Sequence, residues 1–114
     1  MKFERFEDIV GWQKAFELAK FVYTGFSDCK DYGFKSQIQR AAVSIMNNIA
    51  EGFERKTNNE FKQFLYVAKG SCGELRSMSH LAKSLKYLSD EDCLILVTKS
   101  TEISKILSGL IKTL

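Results

Sequence analysis

The sequence predicts an all-α protein, an antiparallel up-and-down four-helix bundle that assembles into an oligomer. Three observations carry this. Apolar residues recur at helical spacing through four segments, the 114 residues contain no proline, and no segment alternates with the period of two that a strand requires. Apolar residues make up 45% of the chain and charged residues 27%, too much core-forming material for disorder. A single domain over residues 1–114 is the expectation for this length.

In the first segment Trp12, Ala15, Phe16, Ala19, Val22, Tyr23 and Phe26 form one stripe. Glu7 and Asp8 precede it and suit a helix N-terminus. The segment closes near Cys29 in the turn cluster Asp28 to Gly33. The second runs from about Phe34 to Phe53, with Phe34, Ile38, Ala42, Ile45 and Ile49 on one face and Gly52 near its C-terminus as an end signal. Between Ala41 and Ala50 it holds no charge, which predicts burial on more than one side.

Thr57-Asn58-Asn59-Glu60 matches the capping box and opens the third segment. Its seam is Phe61, Phe64, Leu65, Ala68, Cys72, Leu75, Met78, Ala82 and Leu85, extending to about Leu88. Ser89 to Asp92 repeats the capping pattern and starts the fourth, with a seam of Leu96, Ser100, Ile103, Leu107, Leu110 and Leu114. Leu94, Ile95, Val97, Ile106 and Ile111, with Val43 and Met46 on the second helix, exceed what one core can cover and predict a subunit interface.

Several functions lack the residues they need. The apolar run Cys93 to Val97 is far shorter than the roughly 20 residues of a bilayer span, so no membrane association is expected. The N-terminal residues carry acids among bases and no apolar signal core, which makes the cytoplasm the default location. Cys29, Cys72 and Cys93 form no C-x-x-C pair, and with one histidine they build neither a disulfide framework nor a zinc site. His80 follows Ser77 at the position where a di-metal bundle needs glutamate. Glu51, Glu54, Glu60 and Glu74 pair with no base at a fixed spacing, and Ser27 to Lys30 is an isolated S-x-x-K. Gly70 and Gly73 lie inside a helix, where they cradle no phosphate; they are expected to admit a neighbouring backbone. No enzyme chemistry and no cofactor is expected.

Charge is unevenly placed. Residues 55–86 hold 7 basic and 2 acidic side chains, while residues 1–54 hold 7 and 8 and residues 87–114 hold 3 and 4. Within the excess, Lys62, Lys69, Arg76 and Lys83 recur every seven residues. At 100° per residue each is rotated by about 20° from the last, which makes a nearly axial ridge. Tyr66, His80 and Tyr87 fall about 40° further round, placing rings beside positive charge. That pairing suits RNA, by phosphate contacts and base stacking. On the pattern alone, lysine stems covering a core edge are the simpler reading.

Ser36 to Gly52 (SQIQRAAVSIMNNIAEG) and Glu60 to Leu75 (EFKQFLYVAKGSCGEL) carry a further signal. They resemble the four-helix bundle proteins encoded in intervening sequences of 23S ribosomal RNA genes, relatives of the accessory variability determinant of diversity-generating retroelements. The matching positions include Arg40, Ala41, Ala42, Ser44, Ile45, Asn48, Ile49, Ala50, Glu51 and Gly52. In the second stretch they include Glu60, Phe61, Phe64, Leu65, Ala68, Lys69, Gly70, Ser71, Glu74 and Leu75. Trp12 to Tyr23 fits as well. Family members often carry proline where this chain has Ser27 and Met46, which implies a straighter second helix here.

The resemblance implies a non-enzymatic homo-oligomer, a ring of five, with a basic surface that in the retroelement relatives contacts RNA and a reverse transcriptase. Of the ridge, Lys69 alone falls on a matching position. Arg40, Ser44, Asn48 and Glu51 are expected to hydrogen-bond between helices or subunits, with RNA contact by Arg40 as the alternative. A second functional reading is a protein–protein adaptor whose ridge binds an acidic partner, such as a reverse transcriptase or a ribosome-associated protein, without touching nucleic acid.

Overall fold

The computed structural model describes residues 3–114. A 3-10 turn (Phe6–Asp8) leads into α1 (Val10–Gly25), α2 (Tyr32–Phe53), α3 (Asn58–Ser84) and α4 (Asp90–Lys112), and the described residues contain no strand. The molecule measures 42 × 21 × 19 Å. Its long axis matches the 27 residues of α3, which at 1.5 Å each span about 40 Å.

The capping side chains accept the amides three residues on, as their spacing requires, while Glu60 reaches back to the Thr57 hydroxyl in place of the Thr57 amide. Thr57 Oγ1 accepts the Glu60 amide at 3.1 Å and donates to the Glu60 carboxylate at 3.1 Å. Ser89 Oγ accepts the Asp92 amide at 3.1 Å, and Asp31 Oδ1 accepts the Phe34 amide at 3.1 Å to start α2. Each satisfies one of the amides that a helix start leaves without a partner. Glu7 and Asp8 lie in the 3-10 turn ahead of α1, 3.9 and 3.7 Å from Arg5.

One cluster of buried side chains runs the length of the helices, and Ile38, Ile45, Ile49, Leu65, Leu75, Leu96, Ile103 and Leu107 within it are fully enclosed. Contacts link α1 to α2, α2 to α3, α3 to α4 and α4 back to α1, the last being the thinnest seam. Buried Ser79 and Ser100 donate to the Leu75 and Leu96 carbonyls at 2.7 and 2.8 Å, so neither leaves a polar atom unpaired.

Two chain-end signals act differently from expectation. No glycine has positive φ. Gly52 lies within α2, where a Cβ would stand 2.6 Å from Phe64 Cβ and 3.0 Å from Phe61 Cδ1. It is therefore a close-approach residue between α2 and α3, not a helix stop. The left-handed residue is Lys86, at φ 61°. There α3 ends in a Schellman arrangement, with the Tyr87 amide bonded to Ala82 O at 2.9 Å and the Lys86 amide to Lys83 O at 3.1 Å. This stops α3 at Ser84, short of the expected Leu88.

The surplus apolar residues are also redistributed. Met46 and Ile111 pack against the core, and Leu94 is 65% exposed. Phe16 and Tyr23, expected inside, are 39% and 48% exposed because the buried face of α1 runs through Gly11, Ala15, Leu18, Ala19 and Val22.

Two substitutions check these assignments by denaturant unfolding. Gly52→Ala destabilises the fold by about 1–3 kcal/mol, because the methyl meets Phe64 where neither helix has room. Lys86→Gly stabilises it by about 1 kcal/mol, relieving the left-handed backbone.

Candidate nucleic-acid interface

The drift of about 20° per heptad carries the ridge along the side of α3 that faces α4. Lys62 and Lys69 are half-buried there, and Arg76 and Lys83 are exposed. None of the four is ion-paired among the described residues.

Lys69 reaches across to α4. Its ammonium donates to Ser108 Oγ at 2.6 Å, Ser104 Oγ at 3.0 Å and Ser104 O at 3.3 Å. All three acceptors are neutral, so the lysine is held without being neutralised. Ser104 and Ser108, with Ser100, form a stripe at four-residue spacing on α4. Four-residue spacing is the sequence signal of a polar helix face, and it extends the role of Ser100 in the seam to Ser104 and Ser108.

The acids of this half of the molecule point elsewhere. Glu102, the one acid from Cys93 to Leu114, lies 3.4 Å from Lys14 on α1. Glu74 accepts from Gln37 on α2 at 3.4 Å, and Glu60 is engaged with Thr57 at the start of α3. The α3–α4 groove from Lys62 to Arg76 is consequently a basic strip free of carboxylate contacts. At its other end Lys83 and His80 line a small cavity of about 80 Å³ with Asp90 and Cys93.

The two tyrosines part company. Tyr66 is 55% exposed beside the strip, as its position on α3 requires. Tyr87 lies beyond the helix end, and its placement corrects the expectation of a free ring. The ring packs edge-on against Phe34 at 5.2 Å, and its hydroxyl donates to Asp31 Oδ2 at 2.7 Å. It ties the α3–α4 turn to the start of α2, because the Schellman reversal at Lys86 swings it off the helix face.

Gly70 and Gly73 admit no neighbouring backbone. A Cβ at either would meet nothing within 4 Å, so both open onto the surface. Of the α2 residues, Ser44 Oγ and Ser71 Oγ are 2.8 Å apart, and Asn48 donates to Ser44 O and Oγ at 2.8 and 3.0 Å. This is the expected polar link between helices. Glu51 meets Arg55 at 3.8 Å on the surface, and exposed Arg40 borders a shallow depression with Tyr23, Gln39 and Val43.

The cysteines are free thiols, and Cys29 is half-buried. Burial pushes the Cys72 thiol up to about 12, against a smaller opposing pull from the Lys69 charge. Burial first, then Asp90 and Asp92, push Cys93 in the same direction. No cluster of potential metal ligands occurs among the described residues.

The family model described as 23S rRNA-intervening sequence protein matches residues 7–109. The chain belongs to that family. It is similar in structure to a protein of unknown function from the S23 ribosomal protein family of Bacteroides thetaiotaomicron. The TM-score is 0.85 at 26% identity, over 90% of this chain and 99% of the other. No curated protein matches the chain.

The Tyr87 tie makes a pH-dependent prediction. The Tyr87 hydroxyl and then the Phe34 amide hold the Asp31 carboxyl below its usual value of 3.8, and the same bond holds the Tyr87 phenol above 10. The stabilisation from Asp31 is therefore present above about pH 4 and lost as pH falls through its lowered pKa. That from Tyr87 is present below about pH 10 and lost as pH rises through its raised one. Tyr87→Phe lowers the thermal midpoint near neutrality, and its difference from the unmodified protein closes at both extremes.

Proposed function

We propose that this chain is a non-enzymatic, cofactor-free subunit of a cytoplasmic homo-oligomer that binds RNA through the α3–α4 face, with Lys62, Lys69, Arg76 and Lys83 contacting phosphates and Tyr66 stacking on a base. The observation that carries this reading is the acid-free strip around Lys69, whose charge is positioned by serines and answered by no carboxylate. A polyanion is the ligand such a strip favours, since uncompensated cations along one groove sum into a field that attracts phosphate. The family's description names a 23S rRNA intervening sequence and no ligand, so the reading rests on the strip itself. Tyr87 has no stacking role in this proposal.

The subunit is a single domain of antiparallel helices running alternately up and down. Supporting this, the pairing is inverted: Gln37 meets Glu74, Ser44 meets Ser71 and Gly52 meets Phe64 between α2 and α3. Exposed apolar side chains, Val10, Phe16 and Tyr23 on α1, Val67 and Leu81 on α3 and Leu85 at its C-terminal end, support association. A ring of five, as the resemblance implies, would repeat the strip around its circumference and let one RNA engage several copies. A reverse transcriptase or another protein partner would then be recruited beside the RNA.

Converting Lys62, Lys69, Arg76 and Lys83 together to glutamate is expected to abolish binding of a single-stranded RNA oligonucleotide in fluorescence anisotropy. In the unmodified protein, affinity falls steeply with salt, each phosphate contact contributing about 0.7 to the log–log slope. Circular dichroism and light scattering check that helicity and a mass several times 13.0 kDa persist in the variant. Unchanged RNA affinity after the reversal would overturn the proposal, and negligible affinity in the unmodified protein would favour the acidic-partner adaptor instead.

A further inference from the structure

The basic strip has internal structure. Between α3 and α4 it opens into a cleft of about 160 Å³ lined by Lys69, Cys72, Gly73, Arg76, Ser100, Thr101 and Ser104. We propose that this cleft is a seat for one phosphate group, in which Arg76 and the Ser104 hydroxyl donate to its oxygens and Lys69, whose three protons are held by Ser104 and Ser108, supplies positive charge beside it. The inference rests on the functional reading above and narrows a ridge of four cations to one defined point.

The donor chemistry is specific. Ser104 Oγ accepts from Lys69, which leaves its own proton free to donate. Ser100 and Thr101 spend their protons on backbone carbonyls, the Leu96 and Val97 oxygens at 2.8 Å, so neither has a proton to offer a ligand and Ser104 is the hydroxyl donor of the lining. Arg76 stands at the rim with no ion-pair partner among the described residues, and its planar fork suits two phosphate oxygens. No carboxylate lines the cleft. A cation would find Lys69 and Arg76 repelling it, and a neutral ligand would leave both charges without a counter-ion.

Gly73 is what keeps the cleft open. It lines the wall, and a Cβ there would meet nothing within 4 Å, so no packing within the subunit requires a glycine. Gly70 is equally unhindered but does not line the cleft. The two therefore make a matched pair in which a side chain can plug the seat without changing any charge.

The test compares Gly73→Leu with Gly70→Leu in the full-length protein, after light scattering and circular dichroism establish that both assemble and fold. Both changes raise helix propensity. Against a single-stranded RNA oligonucleotide, Gly73→Leu is expected to lower affinity roughly tenfold, the scale of a lost hydrogen bond to a charged group. The salt slope should drop by about 0.7, and Gly70→Leu should leave both unchanged. Inorganic phosphate, titrated at constant ionic strength against chloride, is expected to give saturable NMR shifts at Thr101 and Ser104 that Gly73→Leu removes.

Equal RNA affinities for the two leucine variants, with no phosphate-dependent shifts, would overturn the seat; if the fourfold charge reversal still abolished RNA binding, the broader reading would survive it. Saturable phosphate shifts in a protein that binds no RNA would uphold the seat, assign it to a free phosphate, and overturn the RNA reading.

Discussion

The close approach of α2 and α3 at Gly52 is the constraint on which the arrangement of the bundle depends. With no side chain there, the Phe61 and Phe64 side chains press directly on the α2 backbone. The short link from Phe53 to Asn58 can then return the chain without splaying the two helices. From that end the pairing propagates through the Ser44–Ser71 and Gln37–Glu74 contacts to the opposite turn. There Tyr87 joins Phe34 and Asp31. A methyl group at Gly52 pushes against two aromatic residues at once, and close-packed interiors transmit such displacements without absorbing them.

Position along this frame decides which charges are available. The acids of α3 and α4 are turned toward α1, α2 or a helix start, while the basic side chains from Lys62 to Arg76 share the one groove without a carboxylate contact. Lys69 illustrates the consequence. Its long stem covers the core edge, as a solvated bundle would use it, yet its ammonium is fixed by hydroxyls that leave its charge whole. Covering the core and presenting charge are compatible roles for one residue.

Much of the fold was legible in the sequence because it depends on local chemistry. The helix starts at Thr57 and Ser89 are set by hydroxyls three residues from the amides they cap, and the buried faces of α2 and α3 follow from the 3.6-residue period. The seven-residue spacing likewise placed Lys62, Lys69, Arg76 and Lys83 on one side of α3. What such spacing could not supply was the identity of whatever stands opposite. Ser104 and Ser108 are 35 and 39 residues from Lys69, and no local rule joins them.

The helical class, the four segments and the clustering of charge follow from local chemistry, because propensity, capping and periodicity act within a few residues. Packing between the helices is what gives Gly52 its close-approach role, puts Lys86 in the left-handed backbone and takes Tyr87 off the ridge to bind Asp31. It also decided that Gly70 and Gly73 face outward. Each of these follows from distances between elements remote in the chain, which are fixed when the helices pack and are invisible to any window of sequence.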